Sequence, residues 1–378
     1  MKAIRKTAAV GGPAGTELAD CEIPSPGIGE VLIRVGAAAI CGTDKHIYHW
    51  DESVRNSIDI PRTYGHEFCG FVETSGEGVA GDLLPGDYVS AEMHVVCGVC
   101  SPCRTGNGHI CTRTKILGLH GDGAFAEYVV VPASNVIKLD SRYVPLEVGA
   151  FLDALGNAVH STQVVDLAGK SVAITGFGPI GAMAAAIAAH SGAALIVVTD
   201  VAEHALESAR HWAEKGDIRN FHAFNARRMS GDDIRSAVKD ITGDGVDVLL
   251  EMSGAPSAIN LGLDIVGMGG FVSLLGLPAD RSLTIENYTR NLIFKGVTVQ
   301  GIIGRRMYST WQRMLALLRS GLDVSWVVQA EHNLADFHEA IGVFDRHEAL
   351  KVVLYPEGKD AALRRLQDGA IAHPVESD

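Results

Sequence analysis

The run Ser171-Val-Ala-Ile-Thr-Gly-Phe-Gly-Pro-Ile-Gly181 constrains this chain more than any other stretch. Residues Ser171–Thr175 are short, apolar and β-branched, which reads as a strand. Gly176, Gly178 and Gly181 then give G-x-G-x-x-G, and an Ala-rich run to His190 reads as a buried helix. Glycines suit a tight turn where backbone must approach a pyrophosphate closely. The helix N-terminus that follows offers free N–H groups and a positive dipole end to that phosphate.

A glycine-rich loop alone is common, and its setting supplies the specificity. A second apolar strand over 194–199 ends at Asp200, 19 residues past Gly181, near the spacing of a ribose-binding carboxylate. Further strands are expected over 246–250 and 270–275, with helices over 203–214, 231–242 and 257–266. Strands alternating with helices imply a parallel sheet covered on both faces. Helical patterns also run from 152 to 167, 311 to 320 and 334 to 344, and 351–355 reads as a last strand.

The first 140 residues differ: short strands, glycine turns and irregular polar stretches indicate a compact β-rich domain. Within them Cys97-x-x-Cys100-x-x-Cys103-x7-Cys111 places four thiols within fifteen residues. Four thiolates suit a closed tetrahedral zinc site, which stabilises the fold and leaves no open position for chemistry. A ferredoxin cluster begins with the same spacing, but its fourth cysteine follows three residues later and precedes proline. Here seven residues intervene and Thr112 follows. Cys41, His66 and Glu67 carry a second possible donor set of thiolate, imidazole and carboxylate. Spacing does not link them, and a buried small thiol with a turn histidine reads equally well.

At 378 residues the chain suits two domains, and 47% hydrophobic residues supply real cores. The net charge of −13 argues against a nucleic-acid surface, which needs a basic field. No run is long and apolar enough to span a bilayer, and the start Met1-Lys-Ala-Ile-Arg-Lys6 lacks a secretory pattern. A cytoplasmic protein without membrane or nucleic-acid partners is expected. In a reducing compartment the clustering among seven cysteines favours metal over disulfides.

Taken in order, Cys41-Gly-Thr-Asp44, Gly65-His-Glu-x-x-Gly-x-Val72, Gly86-Asp-x-Val89, the four-cysteine lobe and the mid-chain dinucleotide motif resemble the zinc-dependent medium-chain dehydrogenases. The resemblance covers residues 1 to about 355. It implies an α/β protein: a GroES-like β-rich catalytic domain (1–157 and 300–356, with the zinc lobe at 97–111) and a Rossmann doubly wound parallel-sheet domain (158–299). Residues 357–378 form a tail, exposed helix or disordered. Motifs in both domains, including Cys41–Trp50, Leu155-Gly-Asn-Ala-Val-His160, Glu251-Met-Ser-Gly-Ala-Pro256 and Gly301-Ile-x-Gly-Arg305, are similar to the L-threonine 3-dehydrogenase branch.

By that resemblance Cys41, His66 and Glu67 hold a catalytic zinc, and Asp153 is an exchangeable fourth ligand or a neighbour of the metal. Thr43 and His46 take the proton-relay positions, by way of a ribose hydroxyl, and His94 takes a substrate-recognition position. Cys97, Cys100, Cys103 and Cys111 hold a structural zinc. The cofactor is NAD, because a carboxylate at Asp200 bonds the ribose hydroxyls and repels a 2′-phosphate. Gly176, Gly178, Pro179, Ile180 and Gly181 line it, with Leu275, Gly276, Leu277, Ile302 and Ile303 on the nicotinamide side. The implied reaction is oxidation of the secondary hydroxyl of a small-molecule substrate, threonine or a related alcohol, in a homotetramer.

Several residues depart from that family's pattern. Ala205 stands where an arginine near adenine is usual, Ala154 where proline is common, and Ile303 where an aromatic or polar residue is common. An alternative enzymatic reading is a polyol or secondary-alcohol dehydrogenase. A reading of another class is a silent dinucleotide-binding zinc protein, against which the retention of Cys41, Thr43, His46, His66 and Glu67 weighs.

Overall fold

The structure is a computed structural model that describes residues 1–278 and 282–372. The chain divides into two compact units: Met1–Ala154 with Val327–Asp378, and Leu155–Trp326.

In the first unit a sheet runs in the order Val136–Lys138, Tyr88–Ala91, Glu67–Ser75, Glu30–Ala39, Lys351–Tyr355, Val328–Asn333, with Tyr128–Pro132 also paired to Glu30–Ala39. Glu30–Ala39 is its spine. Residues from Val31 to Ala39 are buried apart from a half-buried Arg34, so this strand reads as a continuous apolar run. It is antiparallel to Glu67–Ser75, with Ala39 opposite Glu67. The segment after residue 327 returns to this sheet, where Val353 pairs with Ala39. One core forms around Ile33, Phe68, Phe125, Phe337 and Leu354. A two-stranded ribbon, His94–Val95 with Lys115–Ile116, closes the base of the cysteine loop.

The second unit carries a six-stranded parallel sheet in the order Phe221–Asn225, Leu195–Asp200, Ser171–Thr175, Val246–Glu251, Val266–Leu274, Thr298–Gly301. Numbered within the unit, that order is 3-2-1-4-5-6, the doubly wound Rossmann topology. The helix Pro179–His190 is buried from Gly181 to Ala188, and its small side chains let it lie close on the sheet. The helix Gly231–Thr242 starts in a capping box. Ser230 Oγ accepts from Asp233 N–H at 3.1 Å and Asp233 Oδ2 accepts from Ser230 N–H at 3.3 Å, which satisfies free N–H groups at the start. The core beneath includes Ala173, Val197, Ile234, Leu249 and Leu263.

The structure adds two strands to those expected. Phe221–Asn225 is an edge strand whose residues are mostly half-buried, so its apolar signal is weak. Thr298–Gly301 is the opposite edge of the same sheet, pairing with Phe271–Leu274. Thr298–Gly301 thus belongs to the second unit, which spans Leu155–Trp326. The helix expected to reach Leu167 ends at Gln163.

The tail groups with the first unit. Its helix Lys359–Ala372 is anchored by Lys359–Glu331 at 2.7 Å and Arg365–Glu357 at 3.3 Å, while Arg34 bonds Glu357 at 2.9 Å. Residues 373–378 lie outside the described residues. Among the described residues no helix is long and apolar enough to cross a membrane.

Candidate functional site

In the first unit the strand Glu30–Ala39 delivers Cys41, and the strand Glu67–Ser75 begins at Glu67, directly after His66. Register between these strands draws the three side chains together. Cys41 Sγ, one His66 ring nitrogen and one Glu67 oxygen lie within 4.8 Å of one another. Zinc binds such donors at about 2.0–2.3 Å, so one ion spans that separation. His66 and Glu67 are buried and Cys41 is half-buried.

Three neighbours shape the charge of this group. Asp44, wholly buried, accepts from Cys41 N–H at 2.9 Å and stands 3.9 Å from His66 Nδ1. Lys351 Nζ is paired with Glu67 Oε2 and donates to Ile40 O at 3.1 Å. Asp153 is buried and lies near enough to bear on the charge of His66, Glu67 and Lys351. Burial opposes a charged His66, yet Asp44, Cys41 and Asp153 outweigh it and push the imidazole up to about 10. Burial also raises the Asp44 and Glu67 carboxyls. Glu67 Oε1 is buried without a hydrogen-bond partner. A divalent cation would satisfy that oxygen and supply the positive charge that the anionic surroundings otherwise draw from a proton. The residues therefore fit a zinc ion.

Thr43 and His46 follow on the helix Gly42–His49, three residues apart and so on one face. Thr43 is half-buried and His46 exposed. His94 is buried, with Nδ1 2.6 Å from Glu92 Oε1. Asn135 Nδ2 donates to the carbonyls of Glu92 and His94 at 2.7 and 2.9 Å, clamping that turn.

The four lobe cysteines also converge. Sγ–Sγ distances are 3.4 Å for Cys100–Cys103, 3.5 Å for Cys97–Cys111 and 3.7 Å for Cys100–Cys111. A disulfide would need about 2.05 Å. Thiolates around zinc at about 2.3 Å stand about 3.8 Å apart. The backbone N–H groups of Val99 and Cys100 lower the Cys97 thiol to about 6, and Arg113 Nη2 donates to it at 3.3 Å. Cys100 is lowered likewise by backbone N–H groups, whereas burial and the neighbouring sulfurs push Cys103 up to about 12, crowding that a bound cation would relieve.

In the second unit the glycine turn sits where the strand order reverses, between Leu195–Asp200 and Val246–Glu251. Gly176 has φ +90°, and a Cβ there would meet Ser253 Cβ at 2.8 Å. A Cβ on Gly181 would meet Gly176 O at 2.0 Å, so the turn closes against the helix only with glycine. Gly178, before Pro179 and Ile180, faces open space at the helix N-terminus. An opening of this kind beside a helix N-terminus could hold a pyrophosphate.

Asp200 ends its strand with Oδ2 accepting from Phe177 N–H at 2.6 Å and Oδ1 from Ala202 N–H at 2.8 Å. Its carboxylate is thereby fixed to the glycine loop. Ala205 is buried in the helix Glu203–Lys215, while Arg210 is engaged with Glu203 at 2.9 Å. Leu275 and Gly276 donate their N–H groups to Glu251 O at 3.0 and 3.2 Å, and Ile302 N–H donates to Leu274 O at 2.8 Å. Ile302 is buried, and Leu277 and Ile303 are exposed.

Three residues escaped sequence reading. Asp44 lies inside a quoted motif but nothing local marks it as buried. Lys351 opens a strand and looks solvent-facing. Glu251 is wholly buried and accepts from Ser253 N–H, Ser253 Oγ and Gly254 N–H at 2.6–3.0 Å, organising the loop beside Gly176. An acid closing an apolar strand before Ser-Gly was the available signal.

This fold and these donor sets define a zinc-binding dehydrogenase. Residues 27–141 match the alcohol dehydrogenase GroES-like domain and residues 179–320 the zinc-binding dehydrogenase domain, and the chain belongs to that family. Its relatives include the L-threonine 3-dehydrogenase of Caldanaerobacter subterraneus subsp. tengcongensis, 44% identical across 90% of this chain and 96% of the relative. The L-threonine 3-dehydrogenase of Bacillus velezensis is 43% identical across 90% of this chain and 96% of its own length. Among solved structures, the alcohol dehydrogenase TADH from Thermus sp. ATN1 matches with TM-score 0.80 and 30% identity, covering 94% of this chain and 99% of that one. The protein is an NAD-dependent oxidoreductase, and zinc and NAD fit it as cofactors.

Proposed function

We propose that this protein oxidises the secondary hydroxyl of L-threonine to 2-amino-3-oxobutanoate, with NAD as acceptor. The observation that carries the substrate is the 44% identity, over nearly the whole chain, to a relative named for that activity.

Cys41, His66 and Glu67 hold the catalytic zinc, and Asp153 lies beside it as an exchangeable ligand or a neighbour. Zinc supplies Lewis-acid activation of a hydroxyl at neutral pH, and NAD supplies the hydride acceptor. Thr43 and His46 carry the hydroxyl proton toward solvent, a task suited to an exposed histidine, whose ring can both take up and release a proton. His94, held by Glu92, meets the substrate. Asp200 selects NAD; Gly176, Gly178, Pro179, Ile180 and Gly181 receive its phosphates. Leu275, Gly276, Leu277, Ile302 and Ile303 line its nicotinamide side. Cys97, Cys100, Cys103 and Cys111 hold the structural zinc.

The chain works in the cytoplasm as a homotetramer. The strand Thr298–Gly301 is a free sheet edge, and Met268, Ile293, Phe294 and Val299 are exposed apolar side chains around it. A second copy covering that edge removes both liabilities. A monomer by light scattering would overturn the assembly.

Activity is tested by NADH formation with L-threonine, D-threonine, L-serine, 2,3-butanediol and sorbitol. L-threonine is expected to have the highest kcat/KM. A diol that exceeds it assigns the protein to polyol oxidation instead.

A further inference from the structure

We infer that Asp51 is a positioning residue for His46, the group at which the substrate proton reaches water. The inference rests on the proton-path reading of Thr43 and His46 given above.

His46 Nδ1 lies 2.6 Å from Asp51 Oδ2. An ionised carboxylate only accepts, so Nδ1 carries the hydrogen and Nε2 keeps the lone pair of the neutral ring. The side chains of His46 and Asp51 are 51% and 44% exposed, which places the pair at the water boundary. An exposed pair of this kind adds little to stability. Its consequence is the tautomer.

The backbone is shaped to make this contact. In a continuing helix, residues five apart point about 140° away from each other. Here the helix Gly42–His49 stops at Trp50, which is left-handed at φ 60°, ψ 48°. That conformation is unfavourable for a residue with a Cβ. It turns the chain so that Trp50 N–H donates to Ile47 O at 3.2 Å and Asp51 N–H donates to His46 O at 3.0 Å. Trp50 is held in place from two sides. Lys6 Nζ sits 5.3 Å from its ring centroid while donating to Tyr48 O at 3.1 Å and Val10 O at 2.6 Å. Arg55 Nε donates to Trp50 O at 2.8 Å. A left-handed tryptophan persists where its surroundings over-determine it, and its effect is to bring residue 51 to the ring of residue 46.

Four charged groups on or beside this helix are committed elsewhere. Lys45 and His49 both turn to Asp345 on the neighbouring helix Phe337–Asp345, at 3.3 and 2.6 Å. Lys6 and Arg55 are engaged with backbone carbonyls.

In the resulting step the proton arrives at Nε2 and the ring becomes a cation, which the Asp51 carboxylate stabilises. The ring then releases one proton to water and returns to its starting tautomer.

The test uses full-length, zinc-loaded protein with Asp51→Ala, Asp51→Glu and His46→Ala. For Asp51→Ala, kcat near neutral pH should fall about fivefold, with KM for L-threonine and NAD held within about twofold. The deficit should shrink as pH rises and hydroxide takes over the proton, and Asp51→Glu should restore most of the rate. Ring ¹⁵N shifts of His46 should show an Nδ1–H tautomer in the wild type and a mixture in Asp51→Ala. A slow His46→Ala beside an Asp51→Ala of wild-type rate and tautomer overturns the role of Asp51 and leaves the proton path standing. A His46→Ala of wild-type rate removes the proton path itself. A less stable Asp51→Ala whose deficit is the same at every pH makes the contact structural only and overturns the inference.

Discussion

Lys351 and Glu67, 284 residues apart in sequence, form a buried ion pair, with side chains 2% and 0% exposed. Burial opposes charge on Lys351, and the field of Glu67, Cys41 and Asp153 more than offsets it. The pair leaves Glu67 Oε1 buried without a hydrogen-bond partner. It also ties the last strand of the first unit to the candidate zinc group.

Lys351→Met should destabilise the protein by about 3–5 kcal/mol, since it strands a buried carboxylate. The double variant Lys351→Met/Glu67→Gln should recover most of that loss. Denaturant unfolding of both variants checks it, and a loss under about 1 kcal/mol in the single variant would contradict the pairing.

The two metal groups should separate by variant. Cys41→Ser should abolish activity while the melting temperature stays near wild type. Cys100→Ser should lower the melting temperature first, because a closed four-thiolate site contributes folding energy. Metal analysis should fall from about two zinc ions per chain to about one in each. Equal thermal loss in both would deny the division of roles.

In the proposed reading Asp200 selects the cofactor, and its carboxylate is held to the glycine loop by Phe177 N–H at 2.6 Å. Asp200→Ser should raise KM for NAD about tenfold or more, since it removes charge-assisted hydrogen bonds. It should also narrow the preference over NADP. Wild-type efficiency with NADP equal to that with NAD would refute this role.

Lys6 supplies a pH signature. Burial lowers its ammonium from 10.5 to about 8. Between those values the unfolded chain binds more protons than the folded one, so stability from this group rises with pH. Below about 8 the cost of the buried charge is fully present. The melting temperature of wild type relative to Lys6→Met should climb from about pH 8 to 10.5. A flat difference across that window would contradict the shift.

The glycine turn, the strand that follows it and the four-cysteine lobe were legible because each is written in local spacing. Gly176 and Gly181 report contacts made within one turn of chain, and Cys97 to Cys111 close on themselves. Cys41 and His66 became a pair only through resemblance, since no local rule joins residues 25 apart. The edge strand Phe221–Asn225 went unread because half-buried residues blur the apolar pattern. The edge strand Thr298–Gly301 was equally hard to read, since it pairs on one side only.

The sequence by itself determined the alternating architecture, the phosphate loop, the acid that follows it and the thiolate lobe, all through short-range geometry. Tertiary structure alone decided the electrostatics: that Asp44, Lys351 and Glu251 are buried, and which groups each of them faces. Desolvation and register act between residues hundreds of positions apart, and burial turns an ordinary surface charge into a determinant of the site.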